Sequence, residues 1–421
     1  MADQPETARC PFHELMERFD PLEETDAVSL AAFYTRAHEE APVFHSPKLD
    51  AYVISRHADV LAALKDHERI SRIGSQPLHR KYVAEALAVL QQGVPMLANA
   101  LIFVDPPLHT RLRKVVADAI TPRRMASLAP VIRASAHRMV DSVITQGSAE
   151  FMSFFAFPFP IAVISELLSF PEEDHPRLRV WVDDFMRWSA SPNLEPEEQV
   201  ACARSVVALQ RYLMTTLEER KASPKDDLVG DLLRSVDAGP AGMSMEEVLD
   251  NVALLIIGGY HTTALALGNG IYRLLSRRER WEALCAEPAL APTTVEEILR
   301  YDGIGEGIPR EAKQDVEIGG VLIEKGSKLH IANIGAHFDK QVFPNPYEFD
   351  MRRENASRHT TFGYGIHYCV GAPLARLEMR IALEVLAERL PSLRLGPEEE
   401  LKRVENTLHL AFSHLPVAWD V

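Results

Sequence analysis

Phe362-Gly363-Tyr364-Gly365-Ile366-His367-Tyr368-Cys369-Val370-Gly371, near the end of a chain of 421 residues, sets one cysteine in a glycine-rich loop ahead of an amphipathic segment. Gly363 and Gly365 permit backbone conformations that a Cβ obstructs, so the loop can fold back tightly and approach a flat partner closely. After Gly371, apolar residues recur at Leu374, Leu377, Ile381 and Val385, which predicts a helix running to about Leu390 before Pro391 stops it. Cys369 therefore stands just before a helix N-terminus, where free N–H groups and the positive end of the dipole favour the thiolate, the form that binds a metal. Six fixed residue types, each at about 5% usage, meet by chance in roughly one chain of this length in a hundred thousand. A glycine-rich turn around a buried structural cysteine is therefore the weaker account.

Bulk properties exclude several classes. At 47% hydrophobic and 25% charged residues the chain is ordinary globular protein, long enough for one large domain or two or three small ones, and no composition break marks a boundary. Residues 1–18 form a polar tail with Pro5 and Pro11 and no signal-like apolar stretch, and the longest apolar run, Val252 to Ile257, is too short to cross a bilayer, so a cytoplasmic protein is expected. Cys10, Cys202, Cys285 and Cys369 lie far apart, without the spacing of a zinc site or a disulfide framework. A net charge of −15 argues against nucleic acid or an anionic membrane as partner.

Periodicity predicts a mainly α protein with small antiparallel β sheets. Helices are expected over Thr25 to Glu40 and His57 to Asp66, short strands at Pro42 to His45 and Ala51 to Ser55, and an irregular stretch from Arg72 to Pro107. Several amphipathic helices fill His109 to Ser235, with breaks at Pro122 to Arg124, Phe157 to Pro160 and Ser189 to Pro196. Ser244 and Glu247 form a capping box, and apolar residues then continue to Leu275 without a proline. About 32 residues over 244–275 give roughly 48 Å, enough to cross a whole domain as a buried central helix. Val316 to Ile318, Val321 to Ile323 and Lys328 to Ala332, spaced by Gly319-Gly320 and Lys325-Gly326, predict one small antiparallel sheet. Within the long helix, Gly258-Gly259-Tyr260-His261-Thr262-Thr263 places two glycines costing about 1 kcal/mol each, so they mark a close approach or a local distortion.

The pattern Phe-Gly-x-Gly-x-His-x-Cys-x-Gly resembles the haem-binding signature of the cytochrome P450 family. That resemblance implies one haem domain over 1–421 with the P450 fold, haem b as cofactor, 362–371 as the haem-thiolate loop, and Cys369 as iron ligand. Gly258 to Thr263 is similar to the family's oxygen-binding stretch, which makes Thr262 the hydroxyl that helps deliver protons. The usual carboxylate before it is replaced by His261, an imidazole able to shuttle protons near neutrality. Glu297-Ile298-Leu299-Arg300 resembles the family's Glu-x-x-Arg pair, with Arg353 as third partner by spacing and Arg352 as fallback. By chain order, His109 and Arg113 in Asp105-Pro106-Pro107-Leu108-His109-Thr110-Arg111-Leu112-Arg113, with Arg310 and His367, match the positions that meet haem carboxylates. Gly258 and Phe362 complete the cofactor contacts.

The implied activity is that of a monooxygenase, inserting one atom of O2 into a hydrophobic small organic substrate by hydroxylation or O-dealkylation. Electrons would come from a ferredoxin and an NAD(P)H-dependent ferredoxin reductase, because the chain carries neither a dinucleotide fingerprint nor iron–sulfur cysteines. Arg72, Arg111, Lys114 and Arg376 are candidates for a basic docking patch. Family analogy places substrate contacts at Arg72 to Ala100, Trp181 to Ser189, Leu254 to Gly258, Ile304 to Ile308 and Leu408 to Phe412. A haem-thiolate enzyme that uses peroxide or does not oxygenate is the alternative, followed by a haem-based gas-binding sensor.

Overall fold

The computed structural model describes Met16, Phe19 and residues 27–73, 82–94, 97–191, 193–404 and 410–421. Most of the polar tail, Leu408 and parts of the Arg72 to Ala100 stretch lie outside these residues.

Helices pack around one that crosses the interior. Met245–Leu275 starts at Ser244, whose Oγ accepts from the Glu247 N–H at 3.1 Å while the Glu247 carboxylate accepts from the Ser244 N–H at 2.9 Å. Its 31 residues rise about 46 Å. Buried residues recur along it from Val248 to Leu274, but Leu254, Gly258 and Thr262, four apart on one face, stay partly open. Among the described residues it is the one helix long and apolar enough to cross a membrane, and 72% of its most apolar window is buried inside the protein. Its apolar surface therefore forms core. Asp250 and Asn251 on this helix accept from the backbone N–H groups of Leu97, Asn99 and Leu101, which ties the preceding loop to it.

Three expected breaks prove to be starts. Pro122, Pro158 and Pro196 each stand in the first turn of a helix, Pro122–Asp141, Pro158–Leu167 and Pro196–Ala222, where the missing N–H has no intrahelical partner to lose. Among its described residues, the irregular stretch holds one short helix, Ala84–Leu90, and a 3-10 turn at Leu101–Phe103.

The strands are β1 (Val43–Ser46), β2 (Ala51–Ile54), β3 (Ile70–Ser71), β4 (Ser148–Glu150), β5 (Gly307–Ala312), β6 (Val316–Ile318), β7 (Val321–Ile323) and β8 (Lys328–Ala332), followed by short C-terminal strands. β6 and β7 form their own two-stranded hairpin, whereas β8 joins a five-stranded sheet of order β1-β2-β8-β5-β3. The single antiparallel sheet expected for 316–332 is thus split. β8 pairs antiparallel with β5 and parallel with β2, which is far away in sequence and invisible to local turn signals. β4 pairs with Pro416–Ala418.

Candidate active site

The cysteine loop owes its shape to two left-handed glycines, Gly363 and Gly365, both at φ 70°. A Cβ at Gly365 would lie 2.6 Å from the Leu64 carbonyl, so this glycine admits the end of helix His57–Lys65 rather than a flat ligand. The Cys369 N–H donates to the Phe362 carbonyl at 2.9 Å and closes the loop, and helix Ala372–Arg389 follows with Pro373 in its first turn. Burial pushes the Cys369 thiol up. The N–H groups of Gly371 and Ala372 and the guanidinium groups of Arg113 and Arg376 pull the other way without overcoming it. The helix N-terminus alone therefore does not favour the thiolate.

Beside this loop lies a cluster of positive and neutral nitrogen donors. His109, 2% exposed in helix Leu108–Ala119, sets its ring 4.3 Å from that of His367, and its buried Nε2 meets no hydrogen-bond partner among the described residues. Arg113, one turn on, donates to the Tyr368 carbonyl at 2.6 Å. Arg310 in β5 is buried and makes its hydrogen bond with the Pro309 carbonyl at 2.9 Å, pairing with no carboxylate among the described residues. Burial, with Arg72 adding repulsion, lowers its guanidinium to about 9. Burial likewise lowers His109 to about 4, and His367 to about 3 with help from His109 and Arg310. Two guanidiniums and two imidazoles, the latter neutral at pH 7, gather nitrogen donors suited to an anionic acceptor. The two carboxylates of haem b fit that demand.

Arg72 belongs to this cluster, which the sequence did not reveal. It was a candidate for surface docking, yet it turns inward and donates to the Pro309 carbonyl at 3.0 Å. The other docking candidates are engaged as well. Arg111 binds the Glu247 carboxylate at 2.6 Å, Arg376 binds Glu296 at 2.6 Å, and exposed Lys114 pairs with Asp118 at 2.8 Å.

A second buried cluster holds its own carboxylate, and backbone carbonyls take up its remaining donors. Arg300 Nε and Nη2 donate to the Glu297 carboxylate at 2.7 and 2.8 Å, and Arg353 Nε donates to the same group at 3.2 and 3.1 Å. Their remaining N–H groups reach the carbonyls of His337, Pro344, Asn345, Pro346 and Glu348. Arg352 instead points outward to Glu287.

On the long helix the two adjacent glycines do different work. A Cβ on Gly259 would sit 2.9 Å from Ile164, so this one allows a close helix crossing, whereas Gly258 faces open space. Thr262 Oγ1 donates to the Gly258 carbonyl at 2.7 Å. His261 points away from that opening, buried with its ring 6.1 Å from Phe157, and burial lowers it to about 4, so it is neutral at pH 7. Tyr260 is fully buried and donates to Asp183 on helix His175–Ala190 at 2.9 Å, a contact the sequence did not signal. Of the expected substrate segments, Leu410 and Ile304 are joined by a backbone bond of 3.1 Å, while Trp188 stacks 4.4 Å from Tyr82 rather than on the long helix.

The family model for cytochrome P450 matches residues 52–416. Mycinamicin IV hydroxylase/epoxidase of Micromonospora griseorubida is 34% identical over 95% of this chain and 98% of its own length. Nocardicin C N-oxygenase of Nocardia uniformis subsp. tsuyamanensis is 36% identical over 88% of this chain and 90% of its own. The crystal structure of the Tepidiphilus thermophilus P450 haem domain superposes with a TM-score of 0.91 at 28% identity, covering 97% of this chain and 98% of that one. Full-length CYP116B46 from the same organism, TM-score 0.90 at 29% identity over 97% of this chain, is longer, and the chain spans 54% of it. Fold, loop, charge clusters and relatives agree, and the chain belongs to the cytochrome P450 family.

Proposed function

We propose that this P450 is a monooxygenase that inserts one atom of O2 into a hydrophobic small organic molecule, by hydroxylation or O-dealkylation, and releases the other as water. The relatives named for hydroxylation, epoxidation and N-oxygenation support oxygen insertion. In this reading Cys369 holds the iron of haem b, His109, Arg113, Arg310 and His367 meet its carboxylates, and Phe362 and Gly258 border it. Glu297, Arg300 and Arg353 brace the segment behind. Haem supplies reductive O2 activation, which an axial thiolate promotes.

The chain's own residues set orientation and protons. Leu254 lies on the open strip of the long helix and Ile304 and Ile308 are partly exposed, and these apolar side chains favour a hydrophobic substrate. Thr262 has its hydroxyl hydrogen on the Gly258 carbonyl, so toward the cleft Oγ1 is an acceptor. It must turn off that carbonyl to pass a proton on. His261, neutral and buried, serves as a relay and not as a reservoir of acid. Electrons come from a ferredoxin and its NAD(P)H-dependent reductase, the chain acts as one haem domain, and the compartment is the cytoplasm.

The observation that carries this reading is the unbalanced donor cluster at the cysteine loop. Its test is the reduced carbon monoxide adduct of haem-loaded protein, which should absorb as a thiolate complex and shift to a globin-like band in Cys369→His. A globin-like band in the wild type overturns the assignment. Turnover with ferredoxin, reductase and NAD(P)H, set against turnover with peroxide alone, then separates the monooxygenase from the peroxide-using alternative.

A further inference from the structure

The open strip of the long helix is short, and it ends where side chains of the same helix take hold of neighbouring loops. Every residue from Val248 to Ala253 and from Thr263 to Ile271 is buried. Between these stretches Leu254 and Thr262 are half-buried and Gly258 is exposed, over a rise of about 12 Å. Asn251 stands seven residues before Gly258 and Asn269 seven after Thr262, so two turns bring each asparagine back to the face of the opening. Both are buried, at 1% and 2% exposure. Asn251 Oδ1 accepts from the Leu101 N–H at 3.0 Å and its Nδ2 donates to the Asn99 carbonyl at 3.3 Å. Beside it, Asp250 accepts from the N–H groups of Leu97 and Asn99, each at 2.8 Å. At the other end Asn269 Nδ2 donates to the Leu410 carbonyl at 2.7 Å, and the Leu410 N–H donates to the Ile304 carbonyl at 3.1 Å.

We propose that Asn251 with Asp250 at one end, and Asn269 at the other, are positioning residues that hold residues 97–101 and Leu410 as the two end walls of the substrate cleft, and so set the length of molecule it accepts. The inference rests on the monooxygenase reading above, in which this strip is the substrate side of the helix. A loop gripped in this way does not yield easily, because letting go leaves buried polar groups of both helix and loop without partners. An apolar molecule that fits between the walls binds about fourfold tighter for each CH2 it buries, whereas a longer one meets backbone that the helix holds in place.

The experiment titrates haem-loaded wild type, the double variant Asp250→Leu with Asn251→Leu, and Asn269→Leu with imidazole and with N-alkylimidazoles of increasing chain length, read at the Soret band. The ring nitrogen takes the iron and the chain extends along the cleft. Leucine is larger than asparagine or aspartate, so it vacates no space, and any added length comes from a released loop. Wild-type affinity should rise about fourfold per CH2 up to a limiting length and fall beyond it. The limit should move to longer chains in the variant of whichever wall the chain meets, and the first chain that wild type rejects should bind there at least about fourfold tighter. Imidazole itself should bind alike in all three. A wild type without a limit, or an unchanged limit in every variant that holds haem, overturns the proposal. A lower melting temperature with the limit in place is what merely structural asparagines give, and it overturns the proposal as well. A wild type that shows the limit but turns over neither with ferredoxin, reductase and NAD(P)H nor with peroxide sinks the monooxygenase reading and leaves the walls standing.

Discussion

Glu297, Arg300 and Arg353 form one buried charge cluster, and Arg310, His109 and His367 form another beside Arg72; in the first a carboxylate bonds both guanidiniums directly, whereas in the second Asp105 attracts the three groups from nearby without a hydrogen bond to any of them among the described residues. In the first, one carboxylate takes four charge-assisted hydrogen bonds and backbone carbonyls absorb the remaining donors. In the second, burial depresses each group, repulsion adds to it from Arg72 at Arg310 and from His109 and Arg310 at His367, and Asp105 pulls the other way at Arg310, His109 and His367. A balanced cluster fixes structure, whereas an unbalanced one waits for a ligand of opposite charge.

Breaking the balanced cluster has the largest effect. Glu297→Ala leaves two buried guanidiniums without a carboxylate, which costs about 3–5 kcal/mol. Haem incorporation should be lost with the fold of that region, measured as the yield of coloured, soluble protein. Recovery of normal yield and melting temperature in Glu297→Ala would erase the distinction between the clusters.

The unbalanced cluster should show itself through pH in haem-free protein. His109 has a folded pKa of about 4 against an ordinary 6.5. Between those values the unfolded chain binds the extra proton, so stability is intact above about 6.5, falls as pH drops, and is lost in full below about 4. The amount is about 3 kcal/mol at most, since burial is its main cause. Urea titrations of His109→Asn over the same range should show a shallower slope, His367 and His261 supplying the remainder, and a variant as pH-sensitive as wild type would contradict the assignment.

Arg310→Leu separates the clusters by sign. Removing a buried charge that no carboxylate bonds should stabilise the haem-free protein by about 2 kcal/mol. The same change removes a charge-assisted bond to a haem carboxylate, so haem should leave about tenfold faster. Denaturation of apoprotein and haem transfer to an excess of apomyoglobin give the two readings. If both move in the same direction, Arg310 is an ordinary structural arginine.

Local spacing made the cysteine loop legible, while the Glu297 cluster was legible through the family resemblance, its spacing alone being a weak signal. Glu297 and Arg300 are three apart on one helical turn, and the glycines of 363–371 state their own backbone geometry. Legibility failed where distant segments meet. Asp183 and Tyr260 are 77 residues apart and follow no pattern, and Arg72 sits after a short strand where nothing local tells inward from outward. β8 was assigned to its sequence neighbours because turn residues speak only for adjacent strands, while its parallel partner β2 lies near the other end of the chain. Charge balance is likewise unreadable without coordinates, because Arg310 looks like any exposed arginine until its burial is known.

The adjacent glycines of the long helix give the finest version of the comparison, since one faces protein and the other faces the cleft. Gly259→Ala gains about 1 kcal/mol of helix propensity but drives a methyl to 2.9 Å from Ile164, and overpacking of about 2 kcal/mol leaves it net destabilised by about 1 kcal/mol. Gly258→Ala meets nothing within 4 Å, so the same propensity gain should survive as about 1 kcal/mol of added stability. The added methyl points into the opening beside Thr262 and should weaken the substrate-induced Soret shift without altering haem content. Melting temperatures of the two variants should therefore move in opposite directions. If Gly258→Ala also melts lower, the opening is closed by protein in solution and is not the substrate side of the helix.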